Sequence, residues 1–462
     1  MATKLEVEGD WIKSWDPEDP EKWDSRLAWN TLTVTTVSLT LCFVAWFLPS
    51  AIVPKLNGLG YDFTQSQLYW MAAMPGLSGG VLRLLWMVLP PKIGTRKLVF
   101  LTTLLLLLPV VGWGFEVTNP DVPYWRLMGL AILSGIGGGA FSGFMPSTSY
   151  FFPKRKQGTA LGIQAGIGNF GVSLVQLLTP WLITFGMFGF LGSQTMEFAG
   201  RSDVVVWYQN SALVYVPIII VVAIWAYIAL RSVPVTANIK QQFDIFKNQD
   251  TWWMTVLYIM TFGTFSGLSA QFGLLLANLY GQNNENIVSG TGSSAQILIE
   301  GYAVPDVVSY VFLGPLVGAG ARVLFAPLTD RMGGAIWTFI SGIGLVGAII
   351  FTIPSLVPDY SSAEVLTGDF NRFLWGMLLI FFFSGIGNAS TFKQMPMIFE
   401  PRQAGGVIGW TAAIAAFGPF LFGVGLTIMS PTTFYWIGVV WAVLSIAITW
   451  VRYARPGAPR PG

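Results

Sequence analysis

Long apolar runs recur along the whole chain, and they constrain its fold more than any other feature. Of its 462 residues, 53% are hydrophobic and only 10% are charged, whereas soluble proteins carry about 25% charged residues. Twelve runs are long enough to cross the hydrocarbon core of a bilayer, which is about 30 Å thick. They cover approximately residues 28–54, 64–90, 97–117, 124–151, 157–185, 207–230, 251–279, 305–329, 335–354, 371–399, 404–429 and 433–453. This pattern predicts an all-α membrane protein with twelve transmembrane helices.

The polar segments between these runs predict the domain organisation. Residues 1–26 form an N-terminal arm, residues 231–250 a linker and residues 454–462 a tail. The linker separates two six-helix halves, residues 27–230 and residues 251–453. Lysine and arginine are concentrated in the loops on the side of the arm, and such loops normally remain in the cytoplasm. We therefore expect a multi-pass protein of the cytoplasmic (inner) membrane with both termini in the cytoplasm.

The two halves repeat short motifs in the same order. The sequence Ser-Gly-Ile-Gly occurs at residues 134–137 and again at residues 384–387. Arg83 and Arg322 occupy matching positions, each eleven residues before a glycine. Parallel repeats of this kind characterise transporters that hold their substrate between two halves near the middle of the membrane. The sequence therefore predicts two six-helix repeats.

The composition also excludes several chemistries. The chain has no histidine and a single cysteine, Cys42, so the most common general base and an internal disulfide are both absent. All 23 aspartates and glutamates lie in loops or at the ends of predicted spans. We expect no metal, no cofactor and no enzymatic activity. The net charge of +2 does not indicate a partner, and we expect a monomer that contacts the lipid bilayer and no nucleic acid.

Two arginines stand out because they lie near the middle of predicted spans. Arg83 falls in the second span and Arg322 in the eighth. A charged side chain at this depth costs roughly 2.5–3.5 kcal/mol on insertion scales and normally marks a functional site. Each arginine can pair with backbone carbonyls to hold a bend. The interpretation we favour is that both face a central cavity, where an anionic substrate supplies the missing counter-ion, because guanidinium presents a planar fork that matches planar oxyanions.

Neighbouring spans contain aromatic and neutral polar side chains that can surround such an anion. Aromatic rings can enclose a flat, weakly hydrated anion, and amides and hydroxyls can donate hydrogen bonds to its oxygens. Ordinary helix packing is the alternative for each of these residues taken alone. The candidates are Phe43, Trp46, Phe141, Tyr258, Phe262, Asn169, Asn388, Ser390 and Thr391.

Glycines spaced four residues apart flank a basic turn at residues 152–157. In a membrane such spacing lets two helix backbones approach closely, so we predict a smooth surface on which one half slides against the other. The glycines assigned to gating or packing are Gly158, Gly162, Gly166, Gly168, Gly171, Gly385, Gly387, Gly405 and Gly409. Asp330 and Arg331 are expected to form a gate contact between helix ends, and a simple positively charged turn is the alternative.

Four stretches resemble the signatures of a known transporter family. Residues 328–334 (LTDRMGG) are similar to the inner-loop signature of the major facilitator superfamily. Residues 15–20 (WDPEDP) resemble the start of its nitrate/nitrite porters, and residues 151–173 resemble their first nitrate signature. Residues 385–392 (GIGNASTF) resemble the second. The chain therefore resembles the NarK-type nitrate/nitrite porters over nearly its whole length.

This resemblance implies a set of site residues. The residues of this chain that match the family's anion-binding positions are Arg83, Arg322, Phe141, Asn169, Tyr258 and Phe262. Two positions depart from the family pattern. Gln164 stands where asparagine is frequent, and Thr411 lies in a segment where relatives commonly place a serine near the substrate.

The resemblance implies transport of nitrate and nitrite, and the residues bear on how that transport is coupled. Uptake of an anion into a cell that is negative inside opposes about 2.3 kcal/mol per charge per 100 mV, so it must be coupled. An intramembrane carboxylate or histidine usually carries a coupled proton, and the sequence places none near the arginines. This favours nitrate/nitrite exchange, while proton symport stays open. An antiporter of another small or organic anion, and a passive anion channel or sensor, are the alternatives.

Overall fold

The computed structural model describes residues 6–198, 201–234, 243–290 and 295–460, and the regular structure in these ranges is mainly helical. The helices are α1 (Ser25–Ile52), α2 (Gln65–Trp86), α3 (Pro90–Leu105), α4 (Leu107–Glu116), α5 (Tyr124–Ser149), α6 (Lys154–Leu182), α7 (Asn210–Leu213), α8 (Tyr215–Ala229), α9 (Gln249–Tyr258), α10 (Thr264–Leu279), α11 (Leu313–Met332), α12 (Gly334–Thr352), α13 (Ala363–Ile398), α14 (Pro401–Ala415), α15 (Gly418–Ile428) and α16 (Pro431–Thr449). Three short antiparallel hairpins pair β1 (Val7–Glu8) with β2 (Trp11–Ile12), β3 (Gln194–Phe198) with β4 (Arg201–Val206), and β5 (Val288–Ser289) with β6 (Gln296–Ile297).

Eleven helical segments within the described ranges are long and apolar enough to cross a membrane. They are Ser25–Lys55, Pro90–Glu116, Tyr124–Ser149, Lys154–Leu182, Asn210–Ala229, Gln249–Leu279, Val307–Thr329, Gly334–Leu356, Ala363–Ile398, Gln403–Ile428 and Pro431–Ala454. The predicted span at residues 64–90 is the helix α2, whose 22 residues extend about 33 Å. It is not among the eleven segments, and its sequence includes Arg83 together with Gln65 and Gln67. Outward-facing side chains of α8 and α16 are apolar, such as Val221, which is 65% exposed.

The N-terminal arm packs against the basic turn between α5 and α6, and this contact identifies one side of the bundle. The indole of Trp15 donates to the carbonyl of Tyr150 at 3.0 Å, and the indole of Trp23 donates to that of Phe151 at 2.9 Å. Asp24 then starts α1 by accepting hydrogen bonds from the first turn. We call this side of the bundle the arm side, and the opposite side, where α1 ends and α2 begins, the far side. The predicted linker 231–250 lies partly outside the described residues.

Several membrane-length segments are interrupted between their ends, among them Gln249–Leu279 and Gln403–Ile428. A π-helical turn, Ile259–Gly263, separates α9 from α10. A second helix interruption follows Ala415, between α14 and α15. Such π-turns occur frequently at functional sites because they redirect neighbouring side chains. Here Tyr258 is the last residue of α9, and Phe262 lies within the turn.

The two halves of the chain contact each other closely on the far side. Gln176 in α6 donates one amide to both Ser50 Oγ (2.8 Å) and the carbonyl of Ser269 in α10 (2.9 Å). Asn278 in α10 donates to the hydroxyl of Tyr69 in α2 at 3.1 Å. A Cβ atom on Gly76 of α2 would lie 2.7 Å from Pro419 Cβ. These contacts close the far side over the middle of the bundle.

Candidate anion-binding site

Arg83 is held between the two halves of the chain. It lies near the end of α2 with no exposed surface. Its Nε donates to the carbonyl of Gly138 in α5 at 2.8 Å, and its NH1 donates to the carbonyl of Ala412 in α14 at 2.6 Å. Backbone carbonyls therefore bind two of the three guanidinium nitrogens. The third, NH2, is buried without a hydrogen-bond partner among the described residues, and such a donor favours an added acceptor.

Arg322 lies in α11 and is also buried, with 3% of its surface exposed. Its NH1 has no hydrogen-bond partner in the described part of the chain. No ion pair between described residues includes Arg83 or Arg322. Both cations contact one connected set of aromatic rings. A buried pair of like charges is unfavourable, and an anion placed between them would remove the repulsion.

Aromatic rings surround the guanidinium of Arg83. Its Cζ lies 4.8 Å from the ring centre of Phe141, 5.1 Å from that of Trp46 and 5.2 Å from that of Phe262. Phe43 packs behind them, with ring centres 5.4 Å from Trp46 and 6.3 Å from Phe141. Ring faces attract a cation without neutralising it. They therefore hold Arg83 in place while its charge stays available to an anion.

A continuous set of rings joins Arg83 to Arg322, and we call Phe141, Tyr258, Phe262 and Phe392 the aromatic cluster. Arg322 Cζ lies 5.3 Å from the ring centre of Phe392. That ring lies 6.2 Å from Phe141 and 6.3 Å from Tyr258. Tyr258 stacks on Phe262 at 5.4 Å with an interplanar angle of 8°. The structure thus brings both arginines and the predicted aromatic residues together.

Other predicted site residues carry buried polar groups with no partner. Both amide atoms of Asn169 and of Asn388, and the hydroxyl of Tyr258, are buried without a hydrogen bond to any described residue. Buried polar groups are nearly always paired. This group of unpaired donors and acceptors is typical of a site that receives a polar ligand.

The three predicted hydroxyl groups differ from these amides because the protein already engages them. Ser390 Oγ lies 2.8 Å from Thr338 Oγ1. Thr391 donates to the carbonyl of Gly387 at 2.6 Å. Thr411 donates to the carbonyl of Val407 at 2.8 Å. In this conformation their hydroxyls stabilise helices and helix contacts.

One further residue belongs with the site, although the sequence analysis did not select it. Phe392 contacts Arg322 and two members of the aromatic cluster. Its one sequence signal was its place at the end of the second signature, one turn after Asn388. Gln164 is fully buried, and neither of its amide atoms has a partner among the described residues.

The predicted gating glycines fall into three groups. Gly158, Gly162 and Gly405 face open space on the arm-side half of the bundle. Two glycines face the opposite half of the chain: a Cβ on Gly166 would lie 2.7 Å from Val323 Cγ2, and one on Gly409 would lie 3.2 Å from Met87 Sδ. The remaining four pack against helices of their own half, namely Gly168, Gly171, Gly385 and Gly387. Of the predicted gate residues, Arg331 is exposed, and the side chain of Asp330 lies outside the described residues.

Tyr258→Phe is expected to weaken nitrate binding without weakening the fold. The variant removes only a hydroxyl that has no partner in the described protein. Its loss leaves no protein group unpaired, so thermal stability of the empty protein should not fall. If the hydroxyl donates to the anion, the KM for nitrate should rise by about tenfold. Transport kinetics and thermal unfolding, measured on the same preparation, check both expectations.

Tyr208→Phe is the matched control for that variant. Tyr208 is also fully buried, but its hydroxyl donates to the carbonyl of Ala51 at 3.2 Å. Its removal should lower thermal stability and leave the KM for nitrate unchanged. The opposite pattern, in which Tyr258→Phe lowers stability and keeps the KM, would assign Tyr258 to packing.

A bundle of membrane-length helices around a buried, uncompensated cationic centre is the arrangement expected of a secondary transporter for anions. The comparisons with known proteins agree with this class. The family model described as "Major Facilitator Superfamily" matches residues 35–422. The "Probable nitrate/nitrite antiporter NarK2" of Thermus thermophilus is 52% identical, over 98% of this chain and 99% of that protein. The chain belongs to the NarK-type nitrate/nitrite porters of the major facilitator superfamily.

Two more comparisons extend this result. The "Nitrate/nitrite transporter NarU" of Escherichia coli K12 is 30% identical over 96% of both chains. Among solved structures, a bacterial homolog of the human lysosomal transporter Spinster, in an inward-facing and occupied conformation, has a TM-score of 0.60. It is 15% identical, and the alignment covers 90% of this chain and 96% of that one. At that identity the likeness shows the fold alone.

Proposed function

We propose that this protein carries nitrate and nitrite across the cytoplasmic membrane by alternating access and exchanges one ion for the other. One observation carries the proposal: Arg83 and Arg322 are buried, have no carboxylate partner among the described residues and each keep a guanidinium nitrogen without a hydrogen bond. The names of the relatives at 52% and 30% identity support the same substrates.

The chemistry of the site favours a small planar anion. Guanidinium groups bind planar oxyanions through parallel N–H donors. Arg83 and Arg322 offer one such buried nitrogen each, and the predicted site residues Tyr258 and Asn169 carry neutral donors without a partner among the described residues. The rings of the aromatic cluster form the apolar part of the site next to these donors. A site of this kind suits an ion that sheds its water easily.

Exchange follows from the charges of the empty site. Without an anion, Arg83 and Arg322 repel each other, so closure of the halves around an empty site is disfavoured. The chain has no histidine, and no carboxylate of the described residues pairs with either arginine. Proton coupling therefore has no evident carrier. Exchange of nitrate for nitrite moves no net charge, and the membrane potential does not oppose it.

The architecture we propose contains twelve spans, with α2 as the second, arranged as two six-helix repeats that rock against each other. The arm side faces the cytoplasm and carries both termini, and one monomer forms a complete unit. Close contacts between the halves on the far side, and open space at Gly158, Gly162 and Gly405 on the arm side, fit a conformation turned towards the cytoplasm.

Reconstituted vesicles test this proposal. With the purified protein in the membrane, labelled nitrate should accumulate only when nitrite or nitrate is present inside. Uptake should saturate and should be insensitive to an imposed pH gradient. Protein-free vesicles provide the background. Uptake into anion-free vesicles driven by a pH gradient would show symport, and flux that does not saturate would show a channel.

A further inference from the structure

One loop on the far side of the bundle is apolar and exposed. It runs from Ile183 to Gly192, between the end of α6 and the β3–β4 hairpin, and we call it the apolar loop. Within it Phe185 is 40% exposed, Met187 is 45% exposed and Phe190 is 78% exposed. Large apolar side chains that are exposed as a group mark a surface that contacts another protein or a membrane.

The apolar loop continues an exposed apolar stripe of α6. Ile167, Leu174, Leu177 and Trp181 are exposed, and their spacings of seven, three and four residues place them along one side of the helix. Phe185 follows Trp181 by four residues, and the two ring centres lie 4.7 Å apart. On a helix that crosses a membrane, such a side contacts lipid. The lipid-facing surface therefore extends past the end of the helix into the loop.

The length of α6 places the start of the apolar loop at the membrane surface. The helix begins at Lys154 in the basic turn of the arm side, and its 29 residues extend about 43 Å. A bilayer with its headgroups is about 40–45 Å thick. The last turn of α6 therefore falls at the level of the far-side headgroups, where tryptophan is enriched in membrane proteins. Trp181 lies in this turn and is 60% exposed.

The backbone of the apolar loop is bonded to the protein while its large side chains face outward. Gln209 and Asn210, at the start of α7, are both fully buried. Their amides donate to four carbonyls at the end of α6 and in the loop, those of Leu182 (3.0 Å), Phe185 (2.6 Å), Phe188 (3.4 Å) and Gly192 (2.9 Å). Irregular backbone at membrane depth needs such partners, because lipid offers none.

We propose that the apolar loop inserts into the leaflet on the far side and anchors α6 in the membrane there. Its partner is the boundary between lipid headgroups and acyl chains, which receives Phe185, Met187 and Phe190. No charged residue occurs between Lys156 and Glu197, so burial of apolar surface drives this contact, without attraction to anionic lipids. The inference goes beyond the proposed transport and does not depend on which ion the protein carries.

Collisions of a nitroxide label with two relaxing agents test this insertion. Molecular oxygen concentrates in hydrocarbon, and a nickel chelate, added on both sides of the membrane, stays in water. The label is attached to Phe190→Cys in the full chain, reconstituted in phosphatidylcholine vesicles. The native Cys42 is buried, and labelling of the unmodified protein gives the background. Leu177→Cys on the lipid-facing stripe and Ser361→Cys, at an exposed position between α12 and α13, are the references for lipid and for water.

The ratio of oxygen to nickel collisions should be about tenfold higher at position 190 than at position 361, because an inserted segment lies roughly 5–10 Å into the headgroup and acyl boundary. It should be lower at position 190 than at position 177, which lies deeper. Equal ratios at positions 190 and 361 would place the loop in water and overturn the proposal. Few collisions with either agent at position 190 would also overturn it, because protein would then cover the loop. Dipolar broadening between labels would identify that protein as a second copy of the chain.

Discussion

Lysine at position 83 or 322 is expected to reduce nitrate/nitrite exchange by roughly 100-fold or more. Lysine keeps the positive charge but has one nitrogen in place of the guanidinium fork. Arg83 binds the carbonyls of Gly138 and Ala412 through two separate nitrogens and keeps the third for the anion. The single nitrogen of a lysine at this position cannot reproduce that arrangement. Hydrogen bonds to charged groups are worth about 1.5–3 kcal/mol each, and two such losses account for the expected effect. Nitrate counterflow in reconstituted vesicles measures it.

Arg126→Lys is the matched control for these two variants. Arg126 lies at the surface of the bundle, with 49% of its side chain exposed, in an ion pair with Glu116. Exposed ion pairs contribute little, so its replacement by lysine should leave counterflow unchanged. Full counterflow in both Arg83→Lys and Arg322→Lys would contradict the binding account. Loss in one alone would assign the anion to that arginine.

Gly166→Leu is expected to abolish turnover while nitrate still binds. Even a Cβ atom at this position would lie 2.7 Å from Val323 Cγ2 in the opposite half, and leucine adds three more carbon atoms. The contact joins α6 to α11, so the larger side chain wedges the halves apart and blocks their movement. Gly166 has no side chain and contributes no polar group to the site. Nitrate binding, measured by isothermal titration calorimetry on the purified protein, should therefore persist when counterflow is lost.

Two further variants make that prediction specific. Val323→Ala removes the atom that the new side chain meets first, so the double variant Gly166→Leu/Val323→Ala should recover part of the turnover. Gly347→Leu places the same residue in α12, where a Cβ atom would meet nothing within 4 Å, and should keep full turnover. Loss of nitrate binding in a folded Gly166→Leu protein would instead place this glycine in the site.

Most of the helical architecture could be predicted because a bilayer accepts few alternatives. In the hydrocarbon core each backbone group must be bonded within its own segment, so apolar runs of sufficient length become helices. The helix α2, predicted as the second span, is not among the eleven membrane-length segments of the described ranges. The breaks after Tyr258 and after Ala415 were not predicted. No proline or glycine pair marks the first of them, and the π-turn depends on how the helices pack.

The site could be predicted only in part, and the reason differs for charged and aromatic residues. An arginine within an apolar run is rare, so Arg83 and Arg322 could be selected from the residues alone. Phenylalanine occurs 34 times in the chain, so a sequence cannot tell which ring faces a cation. Phe141 and Phe262 were selected with the help of the family resemblance. Phe392 was missed, although its ring lies 5.3 Å from Arg322 Cζ.

The glycine pattern shows a similar limit. Glycine spacing predicts close helix contacts, but Gly158, Gly162 and Gly405 meet nothing within 4 Å, and the spacing does not say which helix is the neighbour of the others. Gly168 and Gly171 of α6 approach α1 of their own half, whereas Gly166 and Gly409 approach the opposite half. A sliding surface formed by all nine predicted glycines therefore stays a prediction. The Gly166–Val323 and Gly409–Met87 contacts are the parts of it with defined partners across the halves.

A structure of the protein determined with nitrate, compared with one determined without it, tests the central claim most directly. We expect added density for a planar ion between the two arginines, within hydrogen-bond distance of NH2 of Arg83 and NH1 of Arg322, the two nitrogens that lack a partner. The aromatic cluster should line the faces of the ion. Nitrate bound away from both arginines, with these nitrogens still unpaired or bound only to water, would contradict the account.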